Sequence, residues 1–232
     1  MSSTLPTSTA RAMRTPRAAA VAGIAFSVLF ATSFVLLEWA LPDGSLGTGT
    51  WVDDDARRAA VTLSLQLLPF AGIAFLWFIG VLRDRIGSGE DRFFATVFLG
   101  SGLLFVAMFF VSGAMAAGLI STAAETSVGR LGSVWPFGRR SAAGLAEIYG
   151  LRMAAVFTIS ATTLATRLRV IPRWLSVLGY ATAAVLLFGV GLVAWLQLVF
   201  PGWVFVLSVH LLVVTFRRHD STLPLSSVED AG

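Results

Sequence analysis

A chain of 232 residues that is 56% hydrophobic and only 13% charged departs from the roughly 45–50% apolar and about 25% charged content of soluble domains, and a single compact core of this size cannot hide the surplus from water. It reads as a membrane protein. The formal net charge of +4 rests on 17 basic residues, all arginine and scattered among apolar runs, which excludes a nucleic-acid module with one concentrated basic face; the lack of cysteine excludes disulfide scaffolds, thiolate metal sites and thiol nucleophiles.

Residues 1–17 are rich in Ser, Thr and Pro and carry Arg11, Arg14 and Arg17, the pattern of a disordered basic tail. The apolar run 18–41 follows as a first transmembrane helix. It exceeds the 7–15 residues of a signal-peptide core and lacks a following Ala-x-Ala site, so a retained helix is expected. A second helix is expected over 59–82, carrying Gln66 and Pro69 in one half, and a third over 93–120. Residues 121–147 form the largest connection, with Trp135-Pro136-Phe137 suited to the headgroup region, as a plain linker or as a lid. A fourth helix is expected over 148–168. The remaining apolar stretch, 174–216, is 43 residues, about 65 Å as one helix and twice the hydrocarbon thickness. It must reverse, and Phe200-Pro201-Gly202 supplies proline and glycine for the turn, giving helices over 174–195 and 200–216. Residues 217–232 form a polar tail.

The expected fold is therefore all-α: a polytopic transmembrane bundle of six helices over 18–216, with both termini cytoplasmic. The orientation follows from arginine in the short connections. With the N-terminus inside, eleven arginines (11, 14, 17, 83, 85, 92, 167, 169, 173, 217 and 218) face the cytoplasm and five (57, 58, 130, 139 and 140) face outward. Tryptophans 39, 51, 135, 195 and 203 fall at the outer interface, and Trp77 and Trp174 at the inner one.

Chemistry at membrane depth is sought in polar residues that had a cheaper apolar alternative. Glu38 and Arg152 sit at similar depth and suggest an ion pair; alternatively Glu38 reaches the surface and Arg152 pairs with Glu147 or lipid phosphate. Pro69 cannot donate to the carbonyl of Leu65, which leaves a free acceptor one turn from Gln66, as in the broken helices of transport sites or in a packing kink. His210 is the one histidine expected at depth, His219 lying in the tail, so neither a haem nor a metal site is expected and no cofactor is implied. Gly113-x-x-x-Ala117 and Ala114-x-x-x-Gly118 on the third helix admit a close neighbour, within the bundle or in a homo-oligomer or partner membrane protein. Ser160 lacks the Gly-x-Ser-Gly setting of an intramembrane serine protease, and no paired glutamates or phosphate loop occur.

Arg169-Val170-Ile171-Pro172-Arg173-Trp174-Leu175 with Gly179, and the Phe75-Leu76-Trp77-Phe78-Ile79-Gly80 to Phe93-Phe94 region, resemble a broad group of uncharacterised bacterial multi-pass membrane proteins of about this length. The resemblance implies a helical bundle in a bacterial plasma membrane, with the lipid bilayer as its partner, and no activity. The expectation is a non-enzymatic accessory or envelope component; the alternative is a small-solute or ion permease using Glu38, Gln66, Pro69, Arg152 and His210.

Overall fold

The computed structural model describes residues 8–40, 54–86, 92–126, 132–189 and 194–220, with side chains at 18–40, 54–83, 93–126 except Ala124, 132–189 and 195–216. The expected terminal tails at 1–7 and 221–232, the glycine-rich link at 87–91, Trp51 and Arg130 lie outside the described residues. The elements are α1 (Ser8–Ala40), α2 (Asp55–Ile86), α3 (Arg92–Thr126), α4 (Val134–Gly144), a π turn (Leu145–Gly150), α5 (Leu151–Arg167), α6 (Arg173–Phe188), a 3₁₀ turn (Ala194–Leu198) and α7 (Val199–Asp220). Because α4, the π turn and α5 are continuous, these segments make six helices, and no strand occurs among the described residues.

Five helices are long and apolar enough to cross a membrane: Ala18–Ala40, Asp55–Arg83, Phe93–Ala123, Val134–Arg167 and Trp195–Phe216. The sixth, α6, has 16 residues, about 24 Å, short of the ~30 Å hydrocarbon layer. The six-helix expectation holds as a count of helices, while the six full-length spans reduce to five. The reason is where the chain reverses. Helix α6 stops at Gly189, whose amide donates to the Val185 carbonyl at 2.8 Å, and Pro201 lies inside the first turn of α7 rather than at a reversal. In a first turn the amide has no intrahelical acceptor, so proline loses nothing there.

Other boundaries shift for similarly local reasons. The basic segment expected to be disordered is already helical from Ser8. Helix α2 starts before residue 59 because Asp54 Oδ1 accepts from the amides of Ala56 (3.0 Å) and Arg57 (3.3 Å), capping two otherwise free donors. Helix α3 runs past residue 120 to Thr126, with the Ser121 and Thr122 hydroxyls donating back to the Gly118 carbonyl. The largest change is in 121–147: α4 and the π turn extend the fourth helix back to Val134, so with the end of α3 about three-quarters of the expected loop is helix.

Neighbours in sequence are antiparallel neighbours in space. Ser33 on α1 meets Ser64 on α2, Leu68 on α2 meets Gly113 on α3, and Phe98 on α3 meets Phe157 on α5. Thr166 on α5 meets Ser176 on α6 at 2.8 Å. The ring closes when Ser27 on α1 reaches the Pro201 carbonyl of α7 (2.9 Å) and Gly23 lies against Ser208, so the C-terminal end of α1 and the N-terminal end of α7 share one end of the bundle. A Cβ at Gly23 would collide with Ser208 Oγ and come within 2.9 Å of the Phe78 ring, which explains a residue without a side chain at this crossing.

The middle of the bundle is filled by aromatic rings. Phe75, fully buried, has ring centroids of Phe26, Phe105, Phe157 and Phe200 at 4.7, 5.2, 5.1 and 5.5 Å, mostly edge-on. Facing outward are large apolar side chains such as Phe70, Trp77, Phe93, Val177 and Phe188. A surface of this kind suits hydrocarbon rather than water. Trp135 and Trp203 face inward: Trp135 packs with Ala40, Ala60, Val61 and Ala123, and Trp203 stacks on Phe200 in the main core.

The α5–α6 connection closes by a double hydrogen bond, Val170 N–H to the Ala165 carbonyl and Arg169 N–H to the Thr166 carbonyl, both 3.0 Å. This is the Schellman arrangement, and it places Arg169 in the left-handed region with φ of 53° where glycine is the usual occupant.

Candidate functional site

At the end of the bundle where α1 finishes and α7 starts, the helices part around a cavity of about 300 Å³. Helix α1 contributes Phe30 to Glu38, α2 Ser64 to Leu68, and α3 Phe109 to Ile120. Trp135, Arg139 and Ala142 of α4, Glu147 of the π turn and Gln197 of the 3₁₀ turn complete the wall. Phe30 and Phe109 are the lining residues nearest the bundle middle on their helices; their centroids are 4.9 Å apart, and Phe109 continues to Phe105 at 4.7 Å. The cavity therefore ends on the phenylalanine cluster.

Its walls are held by hydrogen bonds that the lining hydroxyls make to backbone. Ser33 and Ser64 exchange them across the α1–α2 contact: each Oγ donates to the other's carbonyl at 2.8 Å, with the two Oγ atoms 3.1 Å apart. Ser112 of α3 donates to the Ala142 carbonyl at 2.7 Å and ties the α4 wall to the bundle. Gln197 Nε2 donates to Glu147 Oε1 at 3.3 Å, joining the first part of the α4–α5 helix to the turn that leads into α7. Glu147 protrudes from the π turn, whose extra residue per turn rotates what precedes it relative to α5; such turns occur frequently at functional sites. The turn fits here because Gly150 lets the Phe109 ring approach to 3.0 Å of where a Cβ would stand.

Of the sequence candidates, the cavity gathers one. Glu38 lines it, half-buried. Arg152 does not: its Nη1 donates to the Ile148 carbonyl one turn back at 2.9 Å. The ion pairs among the described residues are Arg57–Asp54 and Arg58–Asp55, so the expected Glu38–Arg152 and Arg152–Glu147 pairs are absent. Gln66 and Pro69 lie on the exposed face of α2, away from the cavity wall formed by Ser64, Leu65 and Leu68. His210 belongs to the opposite half of the bundle, its ring edge-on to Trp174 at 6.2 Å. The small-residue faces divide as well: a Cβ at Gly113 would stand 2.5 Å from Leu68 Cδ2, so that side is used inside the bundle, whereas Ala114 and Gly118 are exposed and Ala117 is half-buried.

The residues missed are Arg139, Glu147 and Gln197. Glu147 and Arg139 fall in the expected loop because the helix there begins 14 residues before 148, and Gln197 falls between the helices expected over 174–195 and 200–216. A capping or periodicity signal was weak: Ser133 makes no side-chain cap bond to α4. Among the described residues no group of three His, Asp or Glu side chains converges as a metal site would require.

No family model, no curated protein and no solved structure matches the chain. The resemblance to uncharacterised bacterial multi-pass proteins thus gains no support beyond the residues that suggested it.

Proposed function

We propose that this chain is a non-enzymatic integral membrane protein of a bacterial plasma membrane, an accessory or envelope component that holds a small ligand in the cavity at the outward end of its bundle. The observation that carries this reading is a pocket that is open and mixed in polarity at one end and ends on Phe30 and Phe109, with packed rings along the bundle axis behind them. A pocket of that size, mainly apolar with a few convergent polar groups, suits a ligand site, while a permease needs a polar route past the midplane. The arginine bias supports the orientation: among the described residues, eleven arginines (11, 14, 17, 83, 85, 92, 167, 169, 173, 217 and 218) lie toward the end away from the cavity, and four (57, 58, 139 and 140) lie toward the cavity end.

The test is flux. Proteoliposomes of the purified chain, loaded with ion-sensitive dyes and challenged with small solutes in a swelling assay, are expected to behave like protein-free vesicles. Saturable ion or solute entry would replace this reading with the permease alternative.

A further inference from the structure

We infer that the cavity takes the ammonium group of an amphiphilic amine, with Glu147 as its counter-charge. The inference rests on the ligand-pocket reading above and deepens it.

Charge around the cavity is unevenly placed. Two carboxylates, Glu38 and Glu147, face it from half-buried positions, whereas its one arginine, Arg139, is exposed at the rim. Buried charges act through a low dielectric and rim charges are screened by water, so the Glu147 carboxylate sets the sign in its part of the cavity. Among the described residues Glu147 has no cation within ion-pair distance, and its hydrogen bond comes from the neutral amide of Gln197. An ionised carboxylate accepts at about four lone-pair positions, and one taken out of water into an apolar wall is costly unless a cation or several donors satisfy it. The neighbouring hydroxyls do not serve: Ser33 and Ser64 are engaged with each other, and Ser112 with the Ala142 carbonyl. What is left is an acceptor site shaped for a multi-donor cation.

The rest of the wall fits the body of such a ligand. Phe30, Phe34, Phe109 and Trp135 line the cavity with aromatic surface, whose ring faces attract an ammonium and whose bulk accepts hydrocarbon. Leu37, Leu65 and Leu119 add aliphatic wall. An anion would meet the Glu147 carboxylate, and the cation that lines the cavity, Arg139, is exposed. The shared chemistry, an ammonium carrying an apolar body, belongs both to soluble alkylamines and to the ethanolamine headgroup of a phospholipid.

The experiment is calorimetric titration of the full chain in an uncharged maltoside detergent with octylammonium, octanoate and octanol, ligands of one length and three charges. Octylammonium is expected to bind saturably and octanoate at least about tenfold more weakly; Glu147→Gln, which keeps a partner for Gln197 and removes the charge, is expected to lower octylammonium affinity by about tenfold or more and leave octanol unchanged. Should that variant fail to fold, Arg139→Gln at the exposed rim is expected to raise octylammonium affinity. Octanoate binding as tightly as octylammonium, a Glu147→Gln variant of unchanged affinity, or an Arg139→Gln variant of lowered affinity would overturn the inference while leaving the pocket. Absence of binding by all three would remove the ligand-pocket reading itself. Repeated in phosphatidylcholine nanodiscs, weaker octylammonium binding after addition of phosphatidylethanolamine assigns the site to the lipid headgroup, and unchanged binding assigns it to a soluble amine.

Discussion

Phe75→Ala tests whether ring packing, rather than exclusion of apolar surface from water, holds this bundle together. In a membrane the separated helices already sit in hydrocarbon, so burying Phe75 gains no transfer energy from water and its contribution is contact and cavity filling. Phe75 is fully buried and touches five rings, Phe26, Phe78, Phe105, Phe157 and Phe200, at centroid distances of 4.7 to 6.0 Å. Removing about 100 Å³ of ring at ~24 cal/mol per Å³ of unrelaxed cavity costs about 2.4 kcal/mol. Edge-on ring pairs add about 0.5–1.5 kcal/mol each, partly regained as neighbours relax, so the expected loss is about 3–4 kcal/mol. Phe188, 80% exposed on α6, is the control: alanine there exchanges a ring for lipid and is expected to cost under about 0.5 kcal/mol. Reversible unfolding in mixed detergent micelles, or steric trapping in bicelles, measures both. A loss below about 1 kcal/mol at position 75, or equal losses at 75 and 188, would refute the packing argument.

Ser33→Ala and Ser64→Ala are each expected to lower stability by about 0.6–1.7 kcal/mol, as interhelical hydrogen bonds in membranes do, and the double variant by less than the sum because the two hydroxyls also touch each other, Oγ to Oγ at 3.1 Å; full additivity in the same unfolding assay would contradict a contribution from that contact. Arg169→Gly relieves a left-handed residue with φ of 53° and is expected to raise stability by about 1 kcal/mol; a fall would show that the arginine side chain contributes more than its backbone strain costs. Gly113→Ala displaces only the far end of Leu68, which lines the cavity and can move into it, and is expected to cost under about 1 kcal/mol, whereas Gly118→Ala meets nothing within 4 Å and is expected to leave the isolated chain unchanged. A smaller particle for Gly118→Leu than for the unaltered chain in light scattering would mark the exposed Ala114 and Gly118 edge as an interface.

Much of the fold was legible because bilayer thickness translates directly into run length. Four helix positions follow from uninterrupted apolar stretches, and their extensions by a few residues trace to single capping groups such as Asp54. The reversal near the C-terminus was misplaced because proline has two meanings: it breaks a helix interior and starts a helix turn, and Pro201 does the second. The site was legible in one residue, Glu38. Gln66, Pro69 and Arg152 lie at suitable depth but on the wrong side of their helices for this cavity, or satisfied within their own turn. Depth can be counted along a sequence, while facing depends on helix rotation, which a chain apolar on all sides does not encode.

The sequence by itself determined that the chain is helical, rich in segments long enough for a membrane, and biased in charge, since each follows from local composition and a fixed rise per residue. Only the tertiary structure decided which polar groups meet. The π turn that brings Glu147 to Gln197, the exchange between Ser33 and Ser64, and the ring cluster that ends the cavity all depend on contacts between residues 31 to 50 positions apart or more. Such contacts arise from the packing of whole helices, where shape decides because hydrophobic exclusion between helices in lipid is absent.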